Sequence, residues 1–348
     1  MINIFSVGRP ESEKAQKELN ELQKSGKVEV WYIPDEVIGR SAILDWVKSS
    51  AIQNGGFHCV LFWINRVYQL LPTDETLWIP FLPPFVPEGT LKLICGPGAG
   101  FDKVPVKFLS EHKVWYSNTP EAVAEPTALH AVILTLTTLR KTTAAERSVR
   151  RGEWEVGGTS IANKAMGRSQ LGLRVGILGM GSIGRHVARY LTSMGMTICY
   201  HNRRQLPDSQ AAGATYIASK EEFFENIDVL SIHVPLNPST EGMVGEKEIS
   251  SMPRGSYIIN TARGQVIDTS ALVEALKSGH IAGAGLDVFD NECSSEIDPY
   301  LMNSDDVTLT PHFACNVNGM LEVVEIEQIN NARVWINEGT PLNTVNSW

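Results

Sequence analysis

Residues 174–184 have the sequence RVGILGMGSIG, in which Gly179, Gly181 and Gly184 form the pattern G-x-G-x-x-G. An apolar run of strand length precedes the first glycine, and residues 187–194 carry apolar side chains at helical spacing. Strand, glycine turn and helix in this order are the fingerprint of a dinucleotide-binding unit. The glycines permit a tight turn, close approach of a pyrophosphate and close helix packing, and the helix N-terminus supplies a positive field.

Apolar runs of strand length alternate with helical patterns along the rest of the chain. In the second half they are RVGILG, TICYHN, DVLSIHVP, SYIIN, GAGLDVF and VTLTPH, which predicts a doubly wound parallel sheet. In the first half they are INIFSVG, VEVWYIP, HCVLFWI and LKLICGPGAGFD. A length of 348 residues suggests about two domains. The predicted fold class is α/β, with two domains that each contain a doubly wound parallel sheet.

Three further segments have distinct patterns. Residues 123–139 are almost uncharged and predict a long, largely buried helix suited to an interface. Residues 142–160 are polar and contain glycine, which indicates a linking arm. Residues 70–89 contain many prolines between aromatic side chains, so regular structure is not expected there. That stretch forms either a satellite core under a loop or the wall of a ligand pocket or subunit contact.

Composition excludes several classes of protein. The formal net charge of −9, without a run of Lys or Arg, argues against a nucleic-acid partner. The five cysteines are scattered and form no C-x-x-C pair, which favours a reducing compartment and no metal site. No run approaches about 18 consecutive apolar residues, and the N-terminus lacks the pattern of a signal peptide. We therefore expect a cytoplasmic protein with no membrane partner.

The residues after the second strand of the glycine-turn unit indicate which dinucleotide binds. An NAD-binding protein has an acidic residue there, about 20 residues beyond the glycines, which accepts hydrogen bonds from the ribose hydroxyls. This chain has Asn202, followed by Arg203 and Arg204. Two guanidinium groups favour a 2′-phosphate, so the sequence predicts a preference for NADP(H) over NAD(H). The alternative is that one arginine simply faces solvent.

Three residues with catalytic chemistry follow apolar runs in the second half. Arg263 lies in IINTARG, Glu292 in LDVFDNE and His312 in LTPHFA. Strand ends on one edge of a parallel sheet bring distant residues to the crevice where a nicotinamide ring binds. Taken singly, Arg263 is also consistent with a surface cation, Glu292 with an acid at a helix start and His312 with a hydrogen-bonded core histidine.

The chain resembles the D-2-hydroxyacid dehydrogenase family. The resemblance is carried, in the family's order, by GPGAGFD, SNTPEAVAEPTA, GMGSIG, HVPLNPST, NTARG, GLDVFDNE and TPH. With RRGEW and HNRR, it is most similar to the fungal branch of glyoxylate and hydroxypyruvate reductases. The resemblance implies a Rossmann cofactor domain, residues 119–313, inserted into a flavodoxin-like substrate domain formed by residues 1–118 and 314–348. It also implies a homodimer joined through the cofactor domain.

The resemblance further implies a role for each site residue. Arg263 would hold the substrate carboxylate, His312 would exchange a proton with the substrate oxygen, and Glu292 would favour the protonated imidazole. Ala99 and Gly100 would offer backbone amides to the substrate carboxylate. The cofactor would contact Gly179, Met180, Gly181, Ser182, Ile183, Gly184, Asn202, Arg203, Arg204, Val234, Pro235, Thr240, Thr261, Ala262, Arg263, Asp287 and His312, with Asp287 on the carboxamide side of the nicotinamide.

The predicted activity is NADPH-dependent reduction of a small 2-oxo acid to the D-2-hydroxy acid. The family commonly has Pro where Cys293 stands, and smaller residues where Phe313, Ala314 and Cys315 follow the histidine, so the pocket shape differs. The substrate is therefore glyoxylate or hydroxypyruvate, or a bulkier acid.

Two alternatives remain open at this point. Trp63 and Phe57, with the proline-rich stretch, either line a pocket for a bulky substrate or belong to ordinary core. The protein is an enzyme, or else a dinucleotide-sensing regulator of the corepressor type, which shares this fold. Formate oxidation within the same family is disfavoured, because the additional polar pocket residues of that branch cannot be placed in this sequence.

Overall fold

A computed structural model describes residues 1–34, 37, 40–63, 89–153, 166–290, 292 and 297–348. The predicted irregular stretch at 70–89 lies outside the described residues except for Gly89, as do Cys293 and residues 154–160 of the predicted arm. The chain divides into two compact units. Unit 1 comprises Met1–Val123 and Val317–Trp348, and unit 2 comprises Ala124–Asn316.

Strands and helices alternate through both units. In chain order the described elements are β1 (Ile2–Val7), α1 (Glu13–Lys24), β2 (Val28–Tyr32), α2 (Arg40–Gln53), β3 (Cys59–Phe62), β4 (Leu93–Cys95), α3 (Val106–Glu111), β5 (Trp115–Ser117), α4 (Pro120–Arg140), α5 (Thr142–Arg150), β6 (Arg174–Leu178), α6 (Ser182–Ser193), β7 (Thr197–His201), β8 (Thr215–Tyr216), α7 (Lys220–Glu225), β9 (Val229–Ile232), α8 (Glu246–Ser251), β10 (Ser256–Asn260), α9 (Thr269–Lys277), β11 (Ile281–Leu286), α10 (Pro299–Asn303), β12 (Val307–Leu309) and α11 (Met320–Glu338).

Unit 1 contains a parallel sheet with the strand order β2-β1-β3-β4-β5, the flavodoxin-like order. Successive side chains of a strand point to opposite faces, so Ile4 and Phe5 belong to different core layers. Phe5 packs in the layer with Phe57, and Ile4 packs in the layer with Leu19 of α1 and Ile329 of α11. The last helix of the chain thereby completes the core of the first unit.

Unit 2 contains a parallel sheet with the strand order β12-β11-β10-β9-β6-β7-β8. The direction of strand order reverses between β6 and β9, and in such sheets ligands bind beyond the carboxyl ends of the strands at this point. Ile177 and Leu178 of β6 face opposite layers of the core. Ile177 lies in the layer with Val132 of α4, and Leu178 lies in the layer with Ile258 of β10. The predicted fold class, two α/β domains with parallel sheets, is confirmed.

One segment that follows α4 adds detail to the sequence analysis. The first part of the predicted linking arm, Thr142–Arg150, is helical and forms α5. Ala144 and Ser148, one turn apart, are buried on one face of this helix, and Glu146 pairs with Arg150 on the exposed side. Tertiary burial of a narrow face stabilises a segment whose average composition is polar.

The helix α4 has the length and apolar composition of a membrane-spanning segment, and it is the one described helix that does. Of its most apolar window, 56% is buried inside the protein, where Ala128, Ala131 and Val132 pack in the core of unit 2. A buried core helix of a globular domain has the same composition. The predicted cytoplasmic location stays a prediction.

Candidate active site and cofactor site

The glycine turn between β6 and α6 has the shape that a pyrophosphate requires. Gly179 has φ +97°, and a Cβ there would lie 2.8 Å from the carbonyl carbon of His233. A Cβ on Gly184 would lie 2.5 Å from the Gly179 carbonyl oxygen. A Cβ on Gly181 would meet nothing within 4 Å. The first and third glycines therefore permit internal packing, whereas the second leaves open space at the helix N-terminus, which fits a dinucleotide phosphate.

The carboxyl end of β7 carries the residues predicted to select the dinucleotide. Asn202 Oδ1 accepts a hydrogen bond of 2.7 Å from the Met180 backbone N–H, so the amide joins this turn to the glycine turn. Arg203 and Arg204 are exposed, and within the described part of the chain neither guanidinium has a hydrogen bond or an ion pair. Two positive charges thus stand beside a neutral side chain where an acid would bind the ribose of NAD.

The loops after β9 and β10 carry the other predicted cofactor residues. Val234 lies beside the glycine turn, with its Cγ1 2.9 Å from the position of a Cβ on Gly179. Thr240 Oγ1 donates to the Pro235 carbonyl oxygen at 2.6 Å and shapes that loop. Thr261 is buried directly after β10, next to Ala262. These loops lie at the same sheet edge as the glycine turn, while their contacts with a dinucleotide stay predictions.

His312 and Glu292 form a hydrogen-bonded pair. His312 Nδ1 lies 2.8 Å from Glu292 Oε2, and the two side chains are 42% and 32% exposed. A carboxylate only accepts hydrogen bonds, so Nδ1 carries the hydrogen and Nε2 is left for a reacting group. Burial alone would raise the pKa of Glu292, but the hydrogen bond and charge of His312, with the charge of Arg263, lower it. The carboxylate is therefore ionised at neutral pH.

Arg263 lies in the loop after β10, close enough for its charge to stabilise the Glu292 carboxylate. Its Nη1 donates to the Ala262 carbonyl oxygen at 2.7 Å. The buried Asn260 amide crosses the loop, donating to the Arg263 carbonyl at 2.8 Å and accepting from the Ala262 N–H at 2.9 Å. The structure thus brings Arg263, Glu292 and His312 together at one edge of the unit 2 sheet.

Two residues that hold this loop are missing from the predicted site. Asn260 is one of them, and Gly264 is the other, because a Cβ on Gly264 would collide with the backbone of Phe289 and Asp290. Both lie in the motif NTARG, and this motif is the feature of the sequence that could have pointed to them. Close backbone packing between the loops after β10 and β11 is a tertiary contact that the motif alone does not reveal.

His312 occupies a turn held by Asp287. His312 has φ +51°, in the left-handed region that costs energy for a residue other than glycine. Its N–H donates to the Asp287 carbonyl oxygen at 2.7 Å. The fully buried Asp287 carboxylate accepts from Thr310 Oγ1 at 2.6 Å, from the Phe313 N–H at 2.8 Å and from the Ala314 N–H at 3.0 Å. Asp287 thus organises the histidine turn, and its predicted carboxamide contact stays a prediction.

The predicted substrate amides belong to unit 1. Ala99 and Gly100 lie in the glycine-containing loop after β4. Asn118 Nδ2 donates to the Ala99 carbonyl at 2.8 Å, and the Gly98 N–H donates to Thr119 Oγ1 at 2.7 Å. These bonds give the loop a defined conformation, and the binding of a carboxylate by its amides stays a prediction.

Trp63 and Phe57 are core residues, so of the two alternatives the structure selects ordinary core for these two side chains. Phe57 has no exposed surface and Trp63 is 2% exposed. Trp63 Nε1 also donates to Ser6 Oγ at 2.8 Å, which satisfies its polar atom inside the core. Their apolar character reflects the packing of unit 1.

A Rossmann strand order, a glycine turn, a histidine–carboxylate pair and a nearby arginine define a nicotinamide dinucleotide-dependent dehydrogenase. Residues 132–314 match the family described as "D-isomer specific 2-hydroxyacid dehydrogenase, NAD binding domain". The chain belongs to the D-isomer specific 2-hydroxyacid dehydrogenase family.

Individual relatives agree with this membership. The chain is 43% identical over 258 residues to "Dehydrogenase efuE" of Hormonema carpetanum, a match covering 74% of this chain and 62% of that protein. It is 39% identical over 256 residues to 4-methyl-2-oxopentanoate reductase A of Aspergillus oryzae, covering 74% of this chain and 75% of that protein. The crystal structure of a glyoxylate reductase from Paecilomyes thermophila superposes with a TM-score of 0.83 at 34% identity, covering 99% of this chain and 98% of that one.

Proposed function

We propose that the enzyme reduces the carbonyl group of a 2-oxo acid to the D-2-hydroxy acid and prefers NADPH. The observation that carries this proposal is the 2.8 Å contact between His312 Nδ1 and Glu292 Oε2 beside Arg263. A proton donor, a carboxylate that stabilises its charged form and a cation for an anionic substrate are the groups that this reduction requires.

The residues act as follows. The hydride for the substrate carbonyl carbon would come from NADPH when it is bound. His312 donates the proton on Nε2 to the carbonyl oxygen, and Glu292 holds the hydrogen on Nδ1 throughout. Arg263 offers two parallel N–H groups to the substrate carboxylate and so aligns the carbonyl group with the imidazole. In the oxidation direction, neutral His312 takes the proton back.

The preference for NADPH rests on the charges after β7. Arg203 and Arg204 are exposed and lack protein partners within the described residues, so they are available to a 2′-phosphate. Asn202 brings no negative charge that would repel the phosphate. A hydrogen bond to a charged group contributes about 1.5–3 kcal/mol, which corresponds to about tenfold to hundredfold in affinity.

The substrate side chain is proposed to be apolar. Phe313 follows His312 directly, and its large aromatic side chain is 45% exposed. Its backbone N–H is held by Asp287, and its ring lies edge-on to the His130 ring, which gives the aromatic side chain a defined position. A branched or aromatic 2-oxo acid would cover this ring, whereas glyoxylate would leave it uncovered. The name of the Aspergillus oryzae relative, a reductase of a branched 2-oxo acid, supports this choice.

A homodimer through unit 2 is part of the proposal. Leu129 and Ile133 of α4 are 44% and 49% exposed and lie one turn apart on the same face. A second copy of the chain would cover this pair. Light scattering of the purified protein tests the dimer, and Leu129→Glu with Ile133→Glu should give a monomer.

The test of the activity is the loss of NADPH absorbance with glyoxylate, hydroxypyruvate, 4-methyl-2-oxopentanoate, phenylpyruvate and benzoylformate. We expect turnover that is higher for the apolar acids, with His312→Ala inactive but still able to bind NADPH. Tight NADPH binding without turnover of any acid would overturn the proposal and favour the dinucleotide-sensing regulator.

A further inference from the structure

Unit 2 contains a second histidine–carboxylate contact, which lies behind the turn of His312. His130 of α4 places Nε2 3.0 Å from Thr310 Oγ1 and 3.5 Å from Asp287 Oδ1. Thr310 Oγ1 in turn lies 2.6 Å from Asp287 Oδ1. The side chains of His130 and Asp287 are 11% and 0% exposed, so this group of three is shielded from water.

The protons in this group follow from its chemistry. Asp287 is an ionised acceptor, because the hydrogen bonds from His130, Thr310 and two backbone amides lower its pKa in spite of burial. The Thr310 hydroxyl has a single hydrogen, which points to Asp287. Toward His130 the hydroxyl therefore accepts, and His130 Nε2 carries a hydrogen. His130 thus orients the hydroxyl and presents an N–H to the same carboxylate oxygen.

Asp287 connects this group to the catalytic turn. Its carboxylate accepts the N–H groups of Phe313 and Ala314, and its carbonyl accepts that of His312. His312 has φ +51°, a conformation that persists only where the surrounding contacts over-determine it. The ring of Phe313 also lies edge-on to the His130 ring, with centroids 6.1 Å apart. Hydrogen bonds and ring packing therefore both connect His130 with the turn at His312–Ala314.

We propose that His130 is a positioning residue. Acting through Thr310 and Asp287, it holds the His312–Ala314 turn in the strained conformation that presents the imidazole to the substrate. The consequence for turnover rests on the proposed function, whereas the effect on the turn itself does not. His130 lies outside the glycine turn, the Arg203–Arg204 pair and the His312–Glu292 contact, so its role is distinct from those already described.

The kinetic test compares His130→Leu, which removes the N–H donor, with His130→Gln, which keeps one. We expect His130→Leu to lower kcat about tenfold to hundredfold, since small misplacements of catalytic groups cost this much. The dissociation constant of NADPH should change little. With NADPH deuterated at the transferred position, the isotope effect on kcat should rise, because the chemical step becomes slower. His130→Gln should restore most of kcat.

A matched control separates positioning from loss of structure. His280 Nε2 also makes a hydrogen bond, to the Ile249 carbonyl at 2.9 Å, at a different place in unit 2. His280→Leu should leave kcat and the isotope effect unchanged. If His130→Leu does not fold, Thr310→Val against Thr310→Ser tests the same connection. An unchanged isotope effect in the folded His130→Leu protein, or an equal loss in His280→Leu, would overturn the proposal.

A second measurement does not depend on activity. Hydrogen exchange followed by mass spectrometry should show faster exchange in peptides covering residues 310–316 in His130→Leu, and wild-type exchange in His280→Leu. If these peptides exchange as slowly in His130→Leu as in the wild type, the positioning role is contradicted even if the enzyme is active. Faster exchange would support it even if none of the tested 2-oxo acids is a substrate, in which case only the proposed function fails.

Discussion

His312 Nδ1 lies 2.8 Å from Glu292 Oε2, although 20 residues separate the two in the chain. The parallel pairing of β11 with β12, in which Leu286 is opposite Leu309, delivers both loops to the same sheet edge. The carboxylate fixes the hydrogen on Nδ1 and leaves Nε2 free of this contact. An imidazole of defined orientation is therefore built into unit 2.

Replacing Glu292 should change the pH dependence of reduction. In Glu292→Gln the imidazolium loses its anionic partner, so we expect the alkaline limb of the kcat profile to move to lower pH. In the wild type, the pKa of Glu292 is lowered, so its carboxylate stays ionised at pH values below the ordinary glutamate pKa of about 4.3. Initial rates across the pH range measure this. A Glu292→Gln profile that superimposes on that of the wild type would remove Glu292 from proton transfer.

Replacing the cations after β7 should change cofactor choice. We expect Arg203→Ala with Arg204→Ala to raise the Kd of NADPH about tenfold or more and to leave the Kd of NADH unchanged. Asn202→Asp should weaken NADPH binding further, since aspartate keeps the acceptor for the Met180 N–H but adds negative charge. Calorimetric titration measures both constants. Arg189→Ala, an exposed arginine on α6, is the control, and an equal loss there would contradict specific phosphate binding.

Replacing Arg263 should separate substrate binding from cofactor binding. Arg263→Lys keeps the positive charge but loses the two parallel N–H groups, so we expect kcat/KM to fall about a hundredfold with a mainly raised KM. Arg263→Ala should lose more. NADPH affinity should fall far less than kcat/KM in both, because Arg263 is only one of many predicted cofactor contacts, as fluorescence titration would show. If Arg263→Lys has wild-type KM for every acid tested, Arg263 does not bind the substrate carboxylate.

Folding stability should depend on pH through His233. Burial lowers the pKa of His233 to about 3, and Nδ1 has no partner among the described residues. The unfolded chain binds a proton at about pH 6.5, so the stabilisation is complete above that pH and is lost as pH falls toward 3. Between about pH 6.5 and 5 the loss is about 2 kcal/mol.

Urea unfolding at several pH values measures how the free energy of unfolding changes with pH. His233→Asn should show a flatter dependence of the free energy of unfolding in the same range. His112→Asn, at an exposed position of unit 1, should keep the wild-type slope. A wild-type slope in His233→Asn would show that another group titrates.

Local sequence patterns predicted most strands and the glycine turn correctly. β6 and the turn at Gly179 and Gly184 are encoded by neighbouring residues, since apolar alternation and the absence of side chains act over a few positions. The same local reasoning indicated only a linking arm at α5, where a narrow buried face at Ala144 and Ser148 supports a helix despite a polar average.

By itself, the sequence determined the class of fold and the glycine turn, and it predicted Arg263, Glu292 and His312 as site residues, because these depend on periodicity and on short motifs. Only the tertiary structure decided that Trp63 belongs to the core and that His130 meets Asp287 across 157 positions of chain. The physical reason is that hydrogen bonds and burial are set by distances in space, which depend on how whole strands and helices pack together.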